Sequence, residues 1–179
     1  MTGEGIWILT SFFALWAGVL DWRYRRIPNW LTLSGLITGL GANVIAAGWP
    51  GAKASLLGAA LGLLVLFPFV ALRALGGGDW KLIGALGAFL GPGRLVDVLV
   101  AAMIVAGVMA VILIIVKRRT RETLRNMSHL LRALVNFQKP GEEVSLDNPK
   151  SAKIPFGVAV AVAVLFYAAF HFWHVTGRA

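Results

Sequence analysis

The stretch Asp79-Trp-Lys-Leu-Ile-Gly-Ala-Leu-Gly-Ala-Phe-Leu-Gly91 decides the fold, because it contains the shortest apolar segment of the chain, residues 82–90. If this segment crosses a membrane the chain has six spans, and if it is re-entrant the chain has five. The other uncharged apolar stretches approach the roughly 20 residues that cross a hydrocarbon core of about 30 Å. These stretches are Ile6–Leu20, Trp30–Trp49, Ala54–Leu72, Val98–Val116 and Ile154–Phe170.

The composition also indicates a membrane protein. Of the 179 residues 58% are hydrophobic and 14% are charged, and the mean hydropathy is +0.77. A soluble domain carries about a quarter charged residues. The sequence therefore predicts an all-α, polytopic membrane protein with a single domain, residues 1–179. With no cysteine, a disulfide framework, a thiol nucleophile and a thiolate zinc site are excluded.

The distribution of basic residues favours six spans over five. With six spans and both termini outside, 14 of the 17 Lys and Arg fall on one side of the membrane, which the positive-inside rule assigns to the cytoplasm. With five spans the basic loop 117–153 would lie opposite Arg23–Arg26. The net charge of +9 is thus explained by topology, and no nucleic-acid partner is predicted.

The loop 117–153 is the one sizeable polar part of the chain. Its apolar residues recur at three- and four-residue spacing, which is typical of an amphipathic helix, and arginines occupy the other faces. We expect this helix to lie on the anionic lipids of the cytoplasmic leaflet. The apolar positions are Leu124, Met127, Leu130, Leu131, Leu134 and Phe137.

Two of the eight acidic residues stand out, since Asp21 and Asp79 each lie at the predicted cytoplasmic end of an apolar segment. An ionisable group in or near a span is energetically unfavourable, which makes it a candidate functional group. Each also has a structural interpretation. Asp21 could pair with an arginine of Arg23–Arg26, and Asp79, which follows Gly76-Gly77-Gly78, could cap a helix.

Three motifs carry a resemblance to a known family. Gly76-Gly77-Gly78-Asp79 matches the GxGD motif of intramembrane aspartyl proteases. The segment Asp21–Asn29, in which an aspartate is followed by basic residues and Ile-Pro-Asn, resembles the first-aspartate segment of type IV prepilin peptidases. Ile154-Pro-Phe-Gly157 is similar to a Pro-Phe-Gly element of the same family. The motifs occur in family order and span nearly the whole chain.

The resemblance implies an aspartic endopeptidase of the bacterial inner membrane. Asp21 and Asp79 would be catalytic, one ionised to activate water and one protonated to hydrogen-bond the scissile carbonyl. Gly76, Gly77 and Gly78 would let the substrate approach closely. The substrate would be a prepilin, whose basic leader precedes an apolar helix and is cut at the cytoplasmic face. No metal and no other cofactor is implied.

Larger family members carry a cysteine-rich insertion and an N-methyltransferase activity, and this chain has neither a cysteine nor such an insertion. It resembles the short branch that processes tight-adherence (Flp-type) prepilins, and methylation is not expected. The alternatives are another GxGD protease such as a preflagellin peptidase, a transporter or proton-relay bundle, and a structural subunit of a secretion complex. Glycine pairs such as Gly35 with Gly39 and Gly58 with Gly62 are expected to serve close helix packing within the molecule.

Overall fold

The computed structural model describes residues 3–72, 75–117 and 155–176, and every element in these ranges is helical. The helices are α1 (Gly3–Tyr24), α2 (Asn29–Ala71), α3 (Gly77–Lys117) and α4 (Phe156–Thr176). All four are long and apolar enough to cross a membrane. The all-α membrane fold is therefore confirmed. The amphipathic helix predicted for the loop 117–153 lies outside the described residues, apart from Lys117.

Each of the two longest helices is broken near its middle at a glycine. α2 has 43 residues and would be about 64 Å long if it were straight, twice the thickness of a hydrocarbon core. Gly48 interrupts it with φ 60° and ψ −137°, and Gly91 interrupts α3 with φ 72° and ψ 175°. Glycine has no Cβ and adopts these angles without steric penalty. In the sequence, Trp49-Pro50-Gly51 and Gly91-Pro92-Gly93 each predict a turn, and the observed breaks fall beside or within these stretches. The prediction of six membrane crossings stays a prediction.

The proline beside each break explains why the helix does not continue through it. Pro50 follows Gly48 by two residues and Pro92 follows Gly91 directly. Proline has no N–H for the preceding turn, and it disfavours the helical conformation in the residue before it. In the first turn of a new helix the missing N–H has no consequence. After Gly48 the chain folds back, so that Gly51 packs against the carbonyl of Asn43 and the side chain of Ala47.

The short segment 82–90 is the best-buried helix of the molecule. Seven of its side chains have exposed fractions of 6% or less, and the two remaining positions, Gly84 and Gly87, are also buried. Both halves of α2 pack on it. Gly58 and Gly87 meet so closely that a Cβ on either would overlap the carbonyl oxygen of the other. The close packing predicted for Gly35, Gly39, Gly58 and Gly62 is confirmed, against Phe13, Phe89, Gly87 and Ile83 respectively.

Side chains of α2 satisfy the carbonyls at the end of this segment. Residues before a helix break have no partner in the following turn. Ser55 Oγ donates to the Ala88 carbonyl at 2.6 Å, and Asn43 Nδ2 donates to the Ala88 and Phe89 carbonyls at 2.9 and 3.0 Å. The break at Gly91 therefore leaves these two carbonyls with polar partners in an apolar interior.

The outside of the bundle is apolar, as a lipid-facing surface requires. Large side chains are exposed along every helix, and even the most apolar 18-residue stretches of the helices are only 22–44% buried. The two ends of the bundle are marked by contacts. Trp7 packs against His171 and Arg94 at one end, and the opposite end brings together Asn29 and Lys81.

Candidate active site

Asp21 lies in the last turn of α1 and is buried, with 6% of its surface exposed. α1 ends just beyond it because Arg25 adopts a left-handed conformation, φ 53°, while its N–H still donates to the Asp21 carbonyl at 2.9 Å. The charge of Arg25 also acts on the Asp21 carboxylate. Arg25 is therefore near enough to attract the Asp21 carboxylate electrostatically, while the ion pair of Asp21 with a following arginine stays a prediction.

The first turn of α4 supplies the hydrogen-bond donor for this carboxylate. The Gly157 N–H donates to Asp21 Oδ2 at 2.8 Å. The N–H groups that begin a helix have no partner within it, so Asp21 caps α4 from another helix. The approach needs a glycine, since a Cβ on residue 157 would lie 2.9 Å from Asp21 Cβ and 3.0 Å from Asp21 Oδ2.

Asp79 lies in the first turn of α3 and is half-buried. The helix begins at Gly77, so Asp79 is not the N-cap residue that one interpretation of the sequence made it. The place before the helix belongs to Gly76, where a Cβ would lie 3.0 Å from Asp79 Oδ2. The Asp79 and Asp21 carboxylates are near enough to repel each other electrostatically. Two acids 58 positions apart are thus together at one end of the bundle.

All three motifs meet at this end. Gly78 packs against Ile27, and a Cβ on Gly78 would lie 3.3 Å from both the Cβ and the carbonyl oxygen of Ile27. Lys81 Nζ donates to Asn29 Oδ1 at 2.9 Å. The Ile-Pro-Asn segment therefore contacts the glycine-aspartate segment, while the Pro-Phe-Gly segment contacts Asp21.

The comparisons with known proteins agree with this arrangement. The model of the type IV leader peptidase family matches residues 8–111 of the chain. The chain belongs to this family. It is 31% identical over 128 residues, 68% of its length, to a prepilin leader peptidase/N-methyltransferase of Xanthomonas campestris pv. campestris. It spans 44% of the length of that relative. No solved structure matches the chain.

The family match includes both aspartates and ends before α4. Pro155–Gly157 lies outside the residues that match this leader peptidase family. The structure places this segment beside the site, because the Gly157 N–H donates a hydrogen bond to Asp21. In the sequence this segment was indicated only by its resemblance to the family, and its contact with Asp21 was not predicted. The one signal for it was a glycine in the first turn of an apolar helix, which permits close approach.

The three predicted substrate-contacting glycines have different surroundings. No atom lies within 4 Å of the position that a Cβ on Gly77 would take, whereas Gly78 is covered by Ile27 and Gly76 borders the Asp79 carboxylate. Among the described glycines, positive φ angles occur at Gly48 and Gly91. The backbone conformation of Gly78 therefore does not require a glycine, and the close contact with Ile27 is what restricts this position. Substrate contact by these glycines stays a prediction.

The surroundings of the two acids do not point to a metal site. Within residues 3–72, 75–117 and 155–176, no group of three or more His, Asp or Glu side chains is arranged to hold a metal ion. The two histidines of α4 instead pack on aromatic rings, His171 on Trp7 and His174 on Phe170.

Proposed function

We propose that the chain is an aspartic endopeptidase that removes the leader from type IV prepilins of the tight-adherence (Flp) type. Cleavage takes place at the cytoplasmic face of the bacterial inner membrane. Asp21 and Asp79 are the catalytic pair. The observation that carries the proposal is the meeting of these two acids, from separate helices, at the end of the bundle where Ile27–Asn29 and Gly157 also lie.

Two neighbouring carboxyl groups suit amide hydrolysis when they hold one proton between them. The ionised carboxylate takes a proton from water, the water oxygen adds to the scissile carbonyl carbon, and the protonated carboxyl hydrogen-bonds the carbonyl oxygen. The C–N bond then breaks as a proton passes to the leaving amine. The products are the leader carboxylate and the new amino terminus of the pilin.

The topology we propose has six crossings, with each half of α2 and of α3 passing through the membrane. The fold-back after Gly48 and the break at Gly91 support it. Among the basic residues of the described ranges, Arg23, Arg25, Arg26 and Lys81 lie close in sequence to the two aspartates, and Lys53 and Arg94 lie just beyond the breaks at Gly48 and Gly91. The positive-inside rule then puts the aspartates at the cytoplasmic boundary, where the leader of a prepilin joins its apolar helix.

A proton relay or transporter is the weaker alternative. A relay needs ionisable or polar groups along a path through the membrane. Within the described ranges Asp21 is the one buried acid, and the other buried polar side chains are the hydroxyls of Thr10, Thr32 and Ser55. Thr10 and Ser55 donate to backbone carbonyls of the bundle. The charged pair is confined to one end.

Coexpression with a tight-adherence prepilin tests the proposal. The wild-type chain should shorten the prepilin on a gel, and Asp21→Asn and Asp79→Asn should each lower the cleavage rate about 10²–10⁴-fold, the usual contribution of an acid–base group. Asp97→Asn is the matched control, because Asp97 is an exposed acid of α3 beyond the Gly91 break. Wild-type cleavage by a membrane-inserted Asp21→Asn or Asp79→Asn variant would falsify the catalytic pair.

The relative's second activity is not part of the proposal. Its printed name includes an N-methyltransferase, but this chain spans less than half of that protein. We expect the processed pilin to carry an unmodified amino terminus. Mass spectrometry of the mature pilin from cells with this chain as their prepilin peptidase measures this directly, and a mass increase of one methyl group would contradict it.

A further inference from the structure

The structure surrounds Asp79 with three contacts made by its immediate neighbours. Gly78 rests on Ile27, and the Trp80 indole N–H donates to the Leu63 carbonyl at 2.7 Å. The third contact is the hydrogen bond from Lys81 to Asn29 at 2.9 Å. The contact of Gly78 reaches the segment that connects α1 to α2, and the contact of Lys81 reaches the first residue of α2.

The hydrogen bond between Lys81 and Asn29 links the segment that carries Asp79 to the segment that carries Asp21. Asn29 follows Asp21 by eight residues, and Lys81 follows Asp79 by two. The connection from Asp21 to Asn29 is stiffened by Pro28, whose ring fixes φ, here −72°. A displacement of Asn29 relative to Lys81 therefore changes the separation of the two carboxylates.

Beside this bond a gap separates α3 from the first turns of α2, whereas α3 packs closely on Leu63 in the second half of α2. A cleft of about 320 Å³ lies between the two helices there, and Lys81 and Asn29 both border it. The hydrogen bond spans the two sides of the cleft and has an ionised donor, which makes it stronger than a neutral one. The other lining residues are Thr32, Leu33, Leu36, Leu63 and Gly84.

We propose that Lys81 and Asn29 are a positioning pair that sets the distance between Asp79 and Asp21. This inference rests on the proposed function for its kinetic consequences. Neither side chain touches the reacting atoms. Catalytic rates respond steeply to such placement, because a misplacement of about 1 Å can lower the rate about 10²-fold. In the structure the hydrogen-bond partner of Lys81 is Asn29.

Steady-state cleavage of a prepilin in detergent or vesicles is the first test. Lys81→Met keeps most of the aliphatic stem and removes the donor, and Asn29→Leu removes the acceptor at similar size. Each should lower kcat about three- to tenfold, as expected for one exposed hydrogen bond with a charged donor, with KM within about twofold. The double variant should be no slower than either single one. Lys81→Arg, which keeps a charged donor, should restore most of kcat.

The matched control is Lys53→Met, since Lys53 is an exposed lysine in the part of α2 beyond the Gly48 break. It should leave kcat and KM unchanged. An unchanged kcat in Lys81→Met would overturn the proposal. So would a raised KM at constant kcat, because that result would make Lys81 a substrate contact. Additive losses in the double variant would show that the two side chains act separately, which also contradicts the pair.

A second measurement does not depend on proteolysis. The chain has no cysteine, so Asp21→Cys with Asp79→Cys introduces the only two thiols. Bifunctional methanethiosulfonate reagents of graded length should cross-link this pair within a narrow length range. Adding Lys81→Met should broaden that range and slow the cross-linking several-fold. If the wild-type chain cleaves no prepilin but the cross-linking responds, the proposed function fails and the positioning pair stands. If Lys81→Met changes neither the length range nor the rate of cross-linking, the positioning pair is wrong.

Discussion

Replacing Gly157 with alanine would put a methyl group against the Asp21 carboxylate. The new Cβ would lie 2.9 Å from Asp21 Cβ and 3.0 Å from Asp21 Oδ2. Carbon atoms in contact prefer about 3.5–4.0 Å. One of the two residues must therefore move by roughly 0.6–1 Å. The backbone of α4 is packed on α1 at this point, because a Cβ on Gly18 of α1 would also lie only 2.9 Å from the Cβ of Ala161 of α4.

The expected effect on activity follows from that displacement. A shift of roughly 1 Å would lengthen the 2.8 Å hydrogen bond from Gly157 beyond the limit of about 3.2 Å. It would also move one member of the proposed catalytic pair by a distance that can lower kcat about 10²-fold. The crowding itself should lower the free energy of unfolding by about 1–3 kcal/mol, the usual result of adding a methyl group to a packed core.

Cleavage of a prepilin by purified Gly157→Ala, normalised to the amount of folded protein, measures the effect. Gly107→Ala is the control, since no atom lies within 4 Å of a Cβ placed there and α3 is helical at that position. It should cleave at the wild-type rate. A folded Gly157→Ala variant with wild-type kcat would refute the view that α4 positions Asp21. If Gly157→Ala cleaves at a normal rate and Asp21→Asn does not cleave, the role given to α4 is wrong and the catalytic role of Asp21 is retained.

Three further substitutions test the packing that holds the site. Gly58→Ala should destabilise the bundle by about 3 kcal/mol or more, since its Cβ would overlap the Gly87 carbonyl and lie 2.8 Å from Gly91 Cα. Thermal unfolding in detergent measures this loss, with Gly41→Ala as the control because a Cβ on Gly41 has open space. Ser55→Ala should lower the free energy of unfolding by only about 1–2 kcal/mol, because the Ala88 carbonyl keeps its second donor, Asn43. A loss as large as that of Gly58→Ala would contradict the view that Ser55 and Asn43 share this carbonyl. Gly78→Ala should reduce kcat by about two- to tenfold, far less than Gly157→Ala, because its 3.3 Å contacts with Ile27 require a shift of only a few tenths of an ångström. Measuring kcat of both alanine variants in one cleavage assay tests this order.

The local features of the fold could be predicted because their causes lie within a few residues. Gly48, Pro50, Gly91 and Pro92 interrupt helices through their own backbone chemistry, and the turns predicted at these places match the observed breaks. The spacing of small residues such as Gly58 and Gly62 likewise predicted close packing. Each of these signals is read from one short stretch of sequence.

The partners of those features could not be predicted. Segment 82–90 and the lipid-facing helices are equally apolar, so hydrophobicity does not reveal which segment is central. The donor for Asp21 comes from a residue 136 positions away, and the acceptor for Lys81 from one 52 positions away. No periodicity connects such pairs. The resemblance selected Asp21 and Asp79 as candidates, and the three-dimensional structure was needed to find what holds them.

The directions of the three helices that meet at the site explain how two acids can lie together at one end of the bundle. Asp79 is in the first turn of α3, where the partial positive charge of a helix N-terminus favours a carboxylate. Asp21 is at the C-terminal end of α1, where the partial charge of its own helix is unfavourable. The N-terminus of α4 compensates for this through the Gly157 N–H. Asp21 therefore depends on a second helix in a way that Asp79 does not, and a change at the start of α4 should disturb Asp21 first.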